Sequence, residues 1–153
     1  MSSSPAYLLD TGILLHWIRG SKTAETIEGQ FKLRASNFRP LICEVSLGEM
    51  EAFARDSRWS KEKSEKLKQL KQELVSVDIS DTKVIEAYAD FSTLAKSKGW
   101  PIFHDKNDLW IAAATQVTGA CLLTMDQSAF LPLREGKHLD VVLLDSKTGW
   151  KFP

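Results

Sequence analysis

Asp10, Glu49, Asp108 and Asp126 each stand where an acid is costly. Asp10 ends the apolar stretch Ala6-Tyr7-Leu8-Leu9, and Asp126 ends the stretch that begins Cys121-Leu122-Leu123-Thr124. Glu49 falls within the apolar stripe of Val45 to Phe53, and Asp108 opens the apolar run Leu109-Trp110-Ile111-Ala112-Ala113-Ala114. A carboxylate drawn out of water needs a partner, and several acids at one place need a cation. Oxygen ligands suit hard divalent ions, so Mg2+ or Mn2+ is the natural counter-charge. If the four acids converge, the chemistry they point to is metal-assisted phosphoryl chemistry.

Each acid also has a plainer reading. Asp10 can cap a helix that starts at Thr11. Asp108 can sit in a first helical turn for the helix dipole, with Asp105 as the cap. Asp126 can be a turn residue, and Glu49 can pair with a buried Arg or Lys. Glu49 is the most telling, because Val45 and Phe53 are its i−4 and i+4 neighbours and share its side. Glu44, Gly48, Glu51 and Arg55 form the opposite, polar side. The plain readings are separate coincidences, and the site reading needs only one cause.

The elements that must position these residues alternate along the chain. Strands are expected at Ala6 to Leu9, Phe38 to Cys43, Val75 to Ile79, Cys121 to Thr124 and Val141 to Leu144. Helices are expected at Thr11 to Arg19, Thr23 to about Gln30, Ser46 to about Arg55, Ser60 to Leu74, Asp81 to Lys98 (capped by Ser80) and Asn107 to Thr118. Such alternation implies a mainly parallel sheet covered by helices on both faces. Ligands of open parallel sheets bind beyond the carboxyl ends of strands. Asp10 and Asp126 each follow a strand, so neighbouring strands would bring them to one edge. A helix runs antiparallel to the strand it feeds, which sets Asp108 near the same edge.

The whole chain, residues 1–153, is expected to form one domain. At 43% hydrophobic and 26% charged it has an ordinary globular composition. Twenty basic residues balance twenty acidic ones, so no broad positive field draws in nucleic acid. Cys43 and Cys121 read as buried free thiols. Met1-Ser2-Ser3-Ser4-Pro5 has neither a basic n-region nor an apolar h-region, and no apolar run approaches a membrane span. The expectation is a cytoplasmic protein with no membrane partner.

Other features carry less. The lysines from Lys61 to Lys71 are interrupted by Glu62 and Glu65 and read as a solvated face more readily than as a phosphate track. Leu67, Leu70 and Leu74 form a thin apolar stripe. The stripe docks its helix on the core in the simpler reading, and with Trp59 offers a groove for an amphipathic partner helix in the other. Trp17, Trp100 and Trp110 read as packing residues before base-stacking ones, and His104 as a loop residue.

Leu8-Leu9-Asp10-Thr11, Glu49 after Val45-Ser46-Leu47-Gly48, Asn107-Asp108-Leu109-Trp110-Ile111-Ala112-Ala113 and Leu123-Thr124-Met125-Asp126 together resemble the PIN-domain nucleases. The likeness is greatest to the VapC-type toxins of bacterial and archaeal toxin–antitoxin pairs. It implies a three-layer α/β/α sandwich and a ribonuclease that uses Mg2+ or Mn2+. Carried over by motif, Asp10, Glu49, Asp108 and Asp126 form the catalytic, metal-binding site, with Asp10 and Asp108 as direct ligands. Thr11 and Thr124 are polar supports, and Asp105 is the runner-up to Asp108. Gly12 departs from the pattern, since such proteins often carry Asn after the first Asp-Thr pair. The resemblance also implies an RNA substrate, a cognate antitoxin and a homodimer. Two other function classes stand beside it. One is a phosphohydrolase with Asp10 as nucleophile, although Asp10-Thr11-Gly12 lacks the second acid two residues on. The other is a non-catalytic PIN-like binding module.

Overall fold

The computed structural model describes residues 6–35, 37 and 39–153. The stretch from Met1 to Pro5 and Phe38, where the sequence starts its second strand, lie outside the described residues. In chain order the elements are β1 (Tyr7–Leu9), α1 (Thr11–Arg19), α2 (Lys22–Phe31), β2 (Leu41–Cys43), α3 (Glu44–Asp56), α4 (Lys61–Glu73), β3 (Val75–Val77) and α5 (Thr82–Lys98). A 3-10 turn at Pro101–His104 leads to α6 (Lys106–Thr118), β4 (Cys121–Thr124), α7 (Gln127–Glu135) and β5 (Val141–Leu143).

The strands form one parallel sheet in the order β3-β2-β1-β4-β5. β1 therefore lies beside β4, with Leu8 opposite Leu122 and Leu9 opposite Leu123. Successive strand residues face opposite ways, and this splits the core in two. Leu8, Cys43 and Leu122 join the buried residues of α5, α6 and α7 on one face. Leu9, Ile42 and Leu123 join Ile13, Leu14, Ile27, Leu67 and Leu70 from α1, α2 and α4 on the other. The result is the three-layer α/β/α architecture expected from the alternation.

α6 is apolar on most sides, with Leu109, Ile111, Ala112, Ala113, Ala114 and Thr115 buried. It lies between β2, β4, α3 and α5, where its alanines permit close approach. Gly119 ends it at φ 68°, a left-handed turn that lets the chain enter β4 at once. The start of α6 and the end of β4 thus share one edge of the sheet.

Several local expectations are corrected. The cap of α5 is Asp81, whose carboxylate accepts from Lys83 N at 2.8 Å, and Ser80 lies outside the helix. α7 has no counterpart in the sequence reading, because Pro132 sits within it. Proline inside a helix costs about 3 kcal/mol, and the burial of Ala129, Phe130 and Leu133 offsets this. Leu67, Leu70 and Leu74 are all buried against their own core. Trp59 packs edge-on against Phe53, and the leucine stripe is docked on its own core. Cys43 and Cys121 are free and buried, as expected. No helix among the described residues is long and apolar enough to cross a membrane.

Candidate active site

The sheet changes winding direction between β1 and β4, because the chain moves one way from β1 to β2 and β3 and the other way to β4 and β5. Such a switch point leaves a crevice at the carboxyl ends of the strands. Asp10 follows β1 there, and its backbone N–H donates to Leu123 O at 3.1 Å. That bond fixes Asp10 beside the end of β4. Thr124 is the last residue of β4 and fully buried. Its hydroxyl donates to Asp10 Oδ2 at 2.6 Å and accepts from Asp126 N at 3.0 Å. One threonine thus ties the first carboxylate to the backbone of the fourth.

Asp10 Oδ1 accepts from Thr11 N at 2.8 Å, so the capping reading of Asp10 is also realised. Asp126 caps α7 by accepting from Ala129 N at 3.0 Å. Asp105 caps α6 by accepting from Asp108 N at 3.2 Å. Three helices therefore present capped N-termini near the acids, and their dipoles soften the negative charge. Capping accounts for Asp10, Asp105 and Asp126 in part. It accounts for neither Asp108 nor Glu49.

Asp108 is 8% exposed. Its carboxyl is pushed up to about 9, first by burial, then by repulsion from Asp10, Asp105 and Asp126 and by a hydrogen bond with Asp105. Asp10 is pushed up to about 6. Burial raises it most, the bonds from Thr124 and Thr11 oppose this, and Glu49 and Asp126 raise it further. The four predicted acids are therefore electrostatic neighbours through Asp10. Among the described residues no Lys or Arg forms an ion pair with any of them.

Glu49 joins through α1. Thr11 Oγ1 lies 2.8 Å from Glu49 Oε1 and 2.9 Å from Ser46 Oγ. Ser46 is fully buried and was not singled out by the sequence. Its one legible signal is its place three residues before Glu49, on the same side of α3. Asp105 is exposed but close enough to Asp108 to serve both as cap and as a further acid. At Gly12, a Cβ would meet nothing within 4 Å, so the position where Asn is common is open space. His104 is exposed and edges onto Phe103, while Trp110 stacks on Tyr88 and Trp17 lies under Arg34.

Carboxylate and hydroxyl oxygens make a donor set suited to a hard divalent cation. Among the described residues no three Asp, Glu, His or Cys side chains form a finished cage around one point. Mg2+ does not require one, since it keeps several waters and binds through one or two carboxylates. The donor chemistry and the uncompensated charge fit such an ion.

The PIN domain family model matches residues 7–131. Among curated proteins no sequence relative matches significantly. Several solved structures are similar in fold. One is VapBC2 from Rickettsia felis bound to a DNA fragment from their promoter, at 24% identity and TM-score 0.68, covering 88% of this chain and 92% of that one. VapBC-1 from nontypeable Haemophilus influenzae is similar at 20% identity and TM-score 0.72, covering 89% and 96%. A toxin–antitoxin complex from Klebsiella pneumoniae is similar at 18% identity and TM-score 0.60, covering 82% and 90%. The match over residues 7–131, on a parallel sheet whose switch point carries the acids, places this chain in the PIN domain family.

Proposed function

We propose that the acidic crevice hydrolyses RNA phosphodiester bonds with Mg2+ or Mn2+, and that the chain is the toxin of a toxin–antitoxin pair. The observation that carries the reading is the grouping of Asp10, Asp108 and Asp126 at the β1/β4 switch point, with no Lys or Arg paired to them among the described residues. Membership in the PIN family and likeness to a toxin–antitoxin complex support it.

Asp10 and Asp108 would hold the cation, with Glu49 and Asp126 completing the site. A divalent cation bound there supplies charge neutralisation at phosphate and activation of water. Thr124 keeps Asp10 turned toward β4 and fixes the backbone of Asp126. Thr11 holds Glu49, which would bind the cation or orient the attacking water. The capped N-termini of α1, α6 and α7 favour the negative charge that builds on the phosphate. Direct attack by water leaves a 3′-hydroxyl and a 5′-phosphate, with no part for the RNA 2′-hydroxyl.

Mapping the ends of cleaved RNA tests this chemistry. The expected products carry 5′-phosphates, and a 2′-deoxy substitution at the cut site leaves cleavage intact. Cyclic phosphate ends, or loss of cutting in the 2′-deoxy substrate, would overturn it. The protein is read as acting in the cytoplasm, as a homodimer held inactive by a small antitoxin. A guanidinium from such an antitoxin can pair with the crevice carboxylates and exclude the cation. Co-expression with the neighbouring reading frame should restore growth and silence the nuclease. Unimpaired growth when the chain is expressed alone would remove the toxin reading.

A further inference from the structure

Glu49 is held by a pair of hydroxyls whose proton direction can be counted. Thr11 Oγ1 lies between two oxygens, Glu49 Oε1 at 2.8 Å and Ser46 Oγ at 2.9 Å. A hydroxyl has one proton and two lone pairs, and an ionised carboxylate only accepts. Thr11 therefore gives its proton to Glu49 and can only accept from Ser46. Ser46 is 0% exposed, so solvent does not compete for its proton. Among the described residues Thr11 is the hydrogen-bond partner of that hydroxyl. The order is thus Ser46 to Thr11 to Glu49.

We propose that Ser46 is a positioning residue for the acidic site, which acts by fixing the proton direction of Thr11. Without the Ser46 hydroxyl, the Thr11 hydroxyl can rotate its proton away from Glu49. With it, Thr11 is committed to Glu49 Oε1, and Glu49 Oε2 has no hydrogen-bond partner among the described residues. That oxygen is left for a cation or for water. Ser46 and Glu49 lie three residues apart on α3, and Thr11 begins α1. The two hydroxyls therefore also hold the starts of α1 and α3 in a fixed relation around the carboxylate. This role rests on the reading of the crevice as a metal-dependent nuclease site.

The plain alternative is that Ser46 is a satisfied buried hydroxyl whose loss costs stability alone. A double-mutant cycle on the full chain separates the two. Ser46→Ala, Thr11→Val and the double variant are compared by titration with Mn2+ alone and by the kcat and KM of RNA cleavage. Residues that orient metal ligands change affinity or activity about 10–100-fold. Ser46→Ala should weaken Mn2+ binding by about 10-fold, the low end of that range, and lower kcat with little change in the KM for RNA. Thr11→Val should do the same, and the double variant should be no worse than Thr11→Val alone. Thr11→Ser keeps the hydroxyl and should retain Mn2+ affinity. If Ser46→Ala does not fold, Ser46→Cys, a weak donor of similar size, should show the same loss. Wild-type Mn2+ affinity and kcat in a folded Ser46→Ala or Ser46→Cys protein would overturn the role, as would losses that add in the double variant. If the wild type binds Mn2+ but cuts no RNA, the nuclease reading fails and the Mn2+ cycle still decides Ser46. If it binds no Mn2+, both fall.

Discussion

Asp108 is buried among other acids with no cation paired to it, and that arrangement has measurable consequences. The folded carboxyls of Asp108, at about 9, and Asp10, at about 6, lie above the ordinary 3.8. The folded state therefore binds more protons than the unfolded chain between those values. The contribution of these two groups to the stability of the metal-free protein is fully present below about pH 4 and is lost as pH rises, through about 6 for Asp10 and toward about 9 for Asp108. Melting scans with chelator should show this decline. Asp108→Asn should flatten it and raise the melting temperature at pH 8, while abolishing cleavage. A melting temperature that rises from pH 5 to pH 8 in chelator would contradict this electrostatic picture. Asp10→Asn keeps the shape of the side chain and removes its charge. It should raise the barrier to cleavage by about 2.7–4 kcal/mol, read as a drop in kcat of about 10²–10³. The acids were legible in the sequence because charge inside an apolar run demands a cause. Ser46 had only its place three residues before Glu49 to mark it; a helical serine suits core or surface equally, and its pairing with Thr11 across the fold is what reveals it.

At the scale of elements, the helices had clear signals. α1 was legible from Thr11 to Arg19 because Asp10 and Gly20 bracket an amphipathic run. α7 was hidden by Pro132, whose cost only tertiary burial offsets. The leucine stripe of α4 fitted a docked helix and a binding face alike, and burial against α1 decides between them. Leu70→Ala should accordingly cost about 2–5 kcal/mol in urea unfolding, as a fully buried leucine does. A change within about 0.5 kcal/mol, normal for exposed sites, would contradict the docking. Gly12 lies in α1 with open space where a Cβ would stand. Gly12→Ala should stabilise the fold by about 0.4–1 kcal/mol, because alanine loses less backbone freedom than glycine on folding.

Over the whole molecule, alternation of strands and helices was enough to give a parallel sheet between helical layers. It did not give the strand order, which depends on pairings between distant segments. The order β3-β2-β1-β4-β5 is what makes neighbours of β1 and β4, and so of Asp10 and Asp126. The neutral net charge gives RNA no general attraction. Cation binding to the native state should raise the melting temperature. The shift should be larger at pH 8 than at pH 5.5, since the ion must displace protons from Asp10 and Asp108.

Whether these acids make a cation-dependent RNA hydrolase is decided by incubating the purified chain and its Asp108→Asn variant with labelled RNA and millimolar Mn2+ or Mg2+. The wild type should make cuts that chelator stops and restored metal revives, and Asp108→Asn should make none. Cleavage that survives chelator, or that Asp108→Asn performs at the wild-type rate, would contradict it.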